Sequence, residues 1–168
     1  SDIRTHWQTR IGTAIYEAFG MSECSTFISS APHRPAEPKN LGTPQIGRRI
    51  AILGEDGPVP IGTEGIIAIH RNDPGLMIGY INAPEETRAR YAGDWFLTGD
   101  RGIMQESGQI TYCGRNDDMM NAGGYRVSPV EVESVLNAHP DITLSAVTEV
   151  EVKADARIIA AFYTADHA

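Results

Sequence analysis

The densest chemistry in this chain lies in Gly114-Arg115-Asn116-Asp117-Asp118-Met119-Met120-Asn121-Ala122-Gly123-Gly124-Tyr125-Arg126-Val127. Two arginines, two adjacent carboxylates and a double glycine make poor core material. They suit a surface crossing where the backbone turns sharply and guanidinium groups meet a phosphorylated ligand. Two shorter segments upstream also set a carboxylate near a glycine. These are Thr98-Gly99-Asp100 and Phe19-Gly20-Met21-Ser22-Glu23.

Each segment also has a purely structural reading. Phe19 to Glu23 fits a strand-end turn with an exposed glutamate. Thr98 to Asp100 fits a Gly-Asp β-turn. The Gly114 to Val127 segment fits an exposed hairpin with solvated charges. His6, His33, His70, His139 and His167 show no metal-ligand spacing and are expected at surfaces or helix ends. Met119 and Met120 are expected to pack.

The elements that must hold these residues are short. The chain has 168 residues, with 17 glycines and 10 prolines, so many turns are expected. A single unit of this length would bury about 70% of its unfolded surface. The formal net charge of −8 disfavours a general nucleic-acid binder, which must neutralise phosphates with clustered cations. Cys24 and Cys113 are far apart and form no CxxC pattern, which predicts free thiols in a reducing compartment. No apolar run approaches the roughly 20 residues that span a bilayer, and no signal-peptide pattern is visible. A cytoplasmic location is expected.

Residues 2–10 read as a helix stopped by Gly12, and 11–19 as a short strand ending at Gly20. A loop rich in Pro, Ala and Ser follows through Asn40 and is expected to act as a linker between subdomains. Strands are expected at 45–53, 65–70, 96–97, 102–105 and 109–112, with a helix over 85–91 after Pro84. Beyond Gly114 the pattern predicts a hairpin (119–121 with 125–127). A helix from Ser128 to about His139 follows, with Ser128 as N-cap and Glu131 closing a capping box. Two strands over 144–152 and 157–163 complete the pattern. The fold class is α+β: an antiparallel, β-rich distorted barrel, then a small hairpin-helix-strand-strand unit.

Taken in order, the three segments resemble motifs of the adenylate-forming (AMP-binding) superfamily of acyl-CoA synthetases, luciferase-type enzymes and peptide-synthetase adenylation domains. The resemblance covers nearly the whole chain. It implies that 1–112 is the end of a large AMP-binding domain, β-rich from about 41, that 113–118 is a hinge, and that 119–168 opens a small C-terminal domain. It implies an aromatic near adenine at Phe19, with Gly20 beside it, and a nucleotide contact from Ser22 in place of the usual Thr. By the same resemblance Glu23 holds Mg²⁺ and, with Ser22, supports catalysis. Asp100 would bind the ribose diol, since one carboxylate can accept from two vicinal hydroxyls. Arg115 would contact ribose or phosphate, and Asp117 would be the pivot. Gly123, Gly124, Tyr125 and Arg126 would line the CoA side.

The implied activity is that of a ligase joining a carboxylic acid to CoA at the expense of ATP, through an acyl-adenylate. Its cofactors and partners would be ATP/AMP, Mg²⁺, CoA and a small carboxylic acid, with no nucleic acid and no membrane span. Two features of the family pattern are missing here. No phosphate loop with lysine is present, and neither Lys39 nor Lys153 sits in the Gly-Lys setting of the family's catalytic lysine. The chain alone is therefore expected not to complete adenylation. A peptide-synthetase adenylation domain and a non-catalytic interaction domain remain as alternatives. Self-association is expected from unpartnered edges and apolar faces.

Overall fold

The structure is a computed structural model that describes residues 2–122, 125–153 and 156–165. The chain divides into two compact units, residues 1–112 and 113–168. Among the described residues no helix is long and apolar enough to cross a membrane.

The first unit opens with helix α1, Asp2–Ile11. Gly12 ends it at φ +73°, its N–H donating to the Gln8 carbonyl at 2.9 Å. The strand expected at 11–19 does not form there. Strand β1 is Ala18–Met21 and pairs antiparallel with β2, Ser25–Ser29. Gly20 thus lies inside the strand rather than at its end. The register shifts between Phe19 and Gly20, and a Cβ at Gly20 would collide with the backbone of Ser25 and Thr26. Only glycine lets the two strands come this close.

The Pro/Ala/Ser-rich segment is not a linker between the units, because it lies inside the first. It contains β2, whose Phe27 and Ile28 are fully buried. Those two apolar residues provide burial that outweighs the turn-forming composition around them. After β3, Thr43–Pro44, the 45–49 stretch turns. The strand expected from Gln45 instead begins as β4, Ile50–Gly54.

Strands β5 (Gly57–Pro58), β6 (Glu64–His70), β7 (Tyr91–Ala92) and β8 (Trp95–Met104) complete a sheet ordered β5-β4-β6-β8-β7, with β9, Ile110–Arg115, also pairing with β8. Helix α2, Pro84–Ala89, carries Glu85 and Glu86 in its first turn, where they complement the helix dipole. The segment before β3 is tied to β9 by Leu41 N–H to Ile110 O and Ile110 N–H to Gly42 O, both 2.9 Å. These links curl the unit into a half-barrel. Its core is Cys24, Phe27, Ile28, Ile52, Ile67, Ile69 and Ile110.

Two strands expected at 96–97 and 102–105 are one ten-residue strand, β8, running straight through Thr98-Gly99-Asp100. Gly99 sits at φ +83°, and the β6–β8 register shifts between Ile66 and Ala68. The Gly-Asp pair therefore forms a bulge, not a β-turn. Phe96, Thr98, Asp100 and Gly102 alternate along its buried face.

The second unit holds β10 (Met120–Ala122) paired with β11 (Tyr125–Val127), helix α3 (Pro129–Leu136), and a long hairpin of β12 (Ile142–Lys153) with β13 (Ala156–Ala165). Helix α3 stops at Leu136, short of His139. Ser128 is its N-cap by position, but its hydroxyl makes no capping bond. It donates instead to the Cys113 carbonyl at 3.0 Å. Glu133, not Glu131, makes a side-chain bond across the unit, accepting from Val147 N–H at 2.8 Å. The expected capping box is absent because Ser128 is turned toward the strand end.

Candidate functional site in the first unit

Bulged strand β8 carries Asp100 into the buried face of the half-barrel, where it is only 7% exposed. The Thr98 hydroxyl, fully buried, donates to the Ile67 carbonyl at 2.7 Å and accepts from Asp100 N–H at 3.0 Å. One hydroxyl thus satisfies both groups that the bulge removes from the ladder. The result is a fixed backbone at Asp100. Its Oδ1 lies 3.4 Å from the Tyr112 phenol oxygen. The Tyr112 ring stands 5.7 Å from that of Phe19, and Phe19 packs edge-on against Phe27 at 5.5 Å. Phe19 and Asp100, 81 positions apart in sequence, are thereby joined through Tyr112.

Glu23 lies in the turn between β1 and β2, half-buried, with Ser22 exposed beside it. The turn is pinned on several sides. Arg48 donates to the Cys24 carbonyl (2.7 Å) and the Thr26 carbonyl (3.0 Å). Met77 N–H donates to the Glu23 carbonyl at 2.7 Å. The Tyr80 phenol donates to Glu23 Oε1 at 2.7 Å. Glu23 accepting that proton, together with desolvation, holds the Tyr80 phenol above its ordinary pKa. Burial pushes the neighbouring Cys24 thiol up to about 11.

Arg48 is itself paired with Asp73, Nε to Oδ1 at 3.0 Å, with side chains 10% and 0% exposed. Asp73 is further satisfied by Arg49 N–H (2.7 Å) and Gly75 N–H (2.9 Å). A buried ion pair with these extra hydrogen bonds is the arrangement that offsets desolvation.

Sequence reasoning missed Tyr80, Tyr112, Arg48 and Asp73. None sits in a motif. A tyrosine four residues before a helix and an Arg in a turn carry no periodic signal. Only the sheet brings them to the motif residues.

The remaining predicted residues lie in the second unit. Gly114 adopts φ +103°. Arg115 makes a two-pronged contact with Asp117, Nε–Oδ1 at 3.0 Å and Nη2–Oδ2 at 3.1 Å. Arg126 Nη2 lies 3.4 Å from both the backbone and side-chain oxygens of Asn116. Tyr125 is 77% exposed. Gly123 and Gly124 lie outside the described residues, as does His167.

The fold is that of adenylate-forming enzymes, and this chain is a fragment of that superfamily, its homologues being acyl-CoA synthetases. The mouse protein "Acyl-coenzyme A synthetase ACSM1, mitochondrial" is 39% identical over 162 residues, 93% of this chain and 28% of that protein. The crystal structure of ATP-bound MatB from Rhodopseudomonas palustris superposes with a TM-score of 0.87 at 29% identity, covering 98% of this chain and 33% of that one. The anthranilate CoA ligase AuaEII, in complex with anthranoyl-AMP, superposes with a TM-score of 0.79 at 31% identity, covering 96% of this chain and 30% of that one. The chain spans between a quarter and a third of the length of these relatives. No protein-family model matches it.

Proposed function

We propose that this chain forms the nucleotide-facing part of an ATP-dependent acid–thiol ligase. In that reaction a carboxylate oxygen attacks the α-phosphorus of ATP and pyrophosphate leaves. The thiol of CoA then attacks the carbonyl carbon of the acyl-adenylate, and AMP leaves. The observation that carries this reading is the convergence of Phe19, Tyr112 and Asp100 within the first unit. It sets an aromatic face beside a fixed carboxylate, as a nucleoside requires: Phe19 faces the adenine and Asp100 the ribose diol. Ser22 and Arg115 contribute nucleotide contacts, and Asp117 serves as the pivot. Gly123, Gly124, Tyr125 and Arg126 serve the CoA side.

Glu23 fits a Mg²⁺ ligand of the limited kind this chemistry uses. Among the described residues no group of three or more His, Cys, Asp or Glu is poised to hold a metal. One carboxylate sharing the ion with phosphates and water is the pattern Mg²⁺ favours. Bound there, the ion neutralises phosphate charge. Glu23 would hold it through one carboxylate oxygen.

The relatives' names support a CoA acceptor over a carrier protein. Free Cys24 and Cys113 fit a reducing, cytoplasmic setting. The β12–β13 hairpin exposes Leu144, Phe162 and Tyr163, which favours self-association; light scattering showing only monomer overturns that part.

The test is nucleotide binding to the chain. A fluorescent AMP analogue is expected to bind weakly and to be displaced by AMP. Asp100→Ala is expected to weaken it about tenfold or more, the loss of a charged hydrogen-bond acceptor for two hydroxyls. Equal binding by wild type and Asp100→Ala, or none by either, removes the reading.

A further inference from the structure

We propose that Tyr80 is a positioning residue for Glu23, aiming one carboxylate oxygen toward the cation on a bound nucleotide's phosphates. This rests on the nucleotide reading above and names a residue that reading does not use. The contact is Tyr80 Oη to Glu23 Oε1 at 2.7 Å, a short O–H donation to a carboxylate, the stronger class of hydrogen bond. Among the described residues Oε2 has no hydrogen-bond partner, so the phenol occupies one oxygen and leaves the other available to a cation. A glutamate side chain has several rotatable bonds, and a cation that must order it alone bears that entropy. The phenol has already restricted it.

Tyr80 is held for this by polar links rather than by burial. Its N–H donates to Thr87 Oγ1 at 2.9 Å, and Thr87 Oγ1 donates to the Ala83 carbonyl at 3.0 Å. A side chain at Gly79 would stand 3.2 Å from Thr87, so the strand of chain lies close against α2. At the other end of the segment Asp73 accepts from Gly75 N–H and from Arg48, and Met77 N–H holds the Glu23 carbonyl. Ile78 and Ile81 on either side of Tyr80 are fully or almost fully exposed. Hydrophobic burial of these flanking residues does not place the loop. The segment 73–83 acts as a strap, tied at both ends, that presents one phenol to one carboxylate.

The experiment titrates Mn²⁺, read by its free-ion paramagnetic resonance signal, into the chain saturated with ATP. It is run on wild type, Tyr80→Phe, Glu23→Gln and the double variant. ATP affinity in excess chelator is measured alongside. Tyr80→Phe is expected to leave chelator-state ATP affinity unchanged and to weaken Mn²⁺ in the ATP complex by about three- to tenfold. In the Glu23→Gln background the same substitution is expected to have no further effect. A purely structural tyrosine would move ATP affinity and Mn²⁺ affinity together. Wild-type Mn²⁺ affinity in Tyr80→Phe overturns the inference while the nucleotide reading stands. An equal loss with and without Glu23 also overturns it. No ATP binding by wild type overturns the nucleotide reading and this inference with it.

Discussion

The Tyr112 phenol lies 3.4 Å from Asp100 Oδ1 while its ring stands 5.7 Å from Phe19. One side chain therefore couples an aromatic face on β1 to a carboxylate on β8. Tyr112→Phe keeps the ring contact and deletes the polar one. It is expected to weaken AMP binding by no more than about threefold, far less than Asp100→Ala, because a 3.4 Å contact is a weak hydrogen bond. Fluorescence titration of both variants checks the order.

Gly20 allows the close β1–β2 crossing. Gly20→Ala must displace the Ser25 and Thr26 backbone and is expected to cost about 1–3 kcal/mol, the range for overpacking. Urea denaturation gives the number. A change under a few tenths would mean the hairpin has room that the structure does not show.

Two ion pairs offer a direct contrast. Arg48–Asp73 is buried, so Asp73→Ala strands a buried guanidinium and is expected to cost about 3–5 kcal/mol. Arg115–Asp117 has side chains 38% and 67% exposed, and Asp117→Ala is expected to cost under about 1 kcal/mol. Thermal and urea midpoints of the two variants separate them; equal losses would contradict the burial argument.

The two thiols are expected to differ in reactivity. Cys24 is 1% exposed, and its thiol is pushed up to about 11 from the ordinary 9.0, so it holds little thiolate at neutral pH. Cys113 is half-buried. A disulfide reagent at mildly alkaline pH should modify Cys113 first and reach Cys24 only on unfolding. The sign for stability follows. Unfolding releases a proton from Cys24 between pH 9 and 11, so its contribution to stability is whole below about 9 and is lost as pH rises through 11. Cys24→Ser is expected to flatten that alkaline decline.

Tyr80 gives a second alkaline signature. Its phenol is raised chiefly by donating to Glu23. Glu23→Gln removes the charge and is expected to lower one tyrosine's titration midpoint toward 10.0, the ordinary value. Ultraviolet difference absorbance across the alkaline range reads this. Superimposable wild-type and Glu23→Gln curves would mean the Tyr80–Glu23 bond does not persist in solution.

The candidate residues stand out in the sequence because their types are chemically unusual: adjacent carboxylates, paired glycines and an aromatic before Gly-Met-Ser-Glu announce themselves locally. The β-rich character and the helix behind Pro84 were legible for the same reason, since turn residues and helix starts act over a few positions. What sequence misjudged was non-local. Phe27 and Ile28 looked like part of a loop because their burial depends on strands far along the chain. Thr98-Gly99-Asp100 looked like a turn because Gly-Asp is a turn pair. It becomes a bulge only when β6 supplies the Ile67 carbonyl for Thr98. Ser128 looked like a helix cap until the Cys113 carbonyl proved the nearer partner. The candidate site was thus nominated residue by residue. Its supports, Tyr80 on Glu23, Tyr112 on Asp100 and Arg48 on the Cys24 turn, were decided by tertiary structure, because a hydrogen bond between distant segments exists only once the sheet has set their spacing.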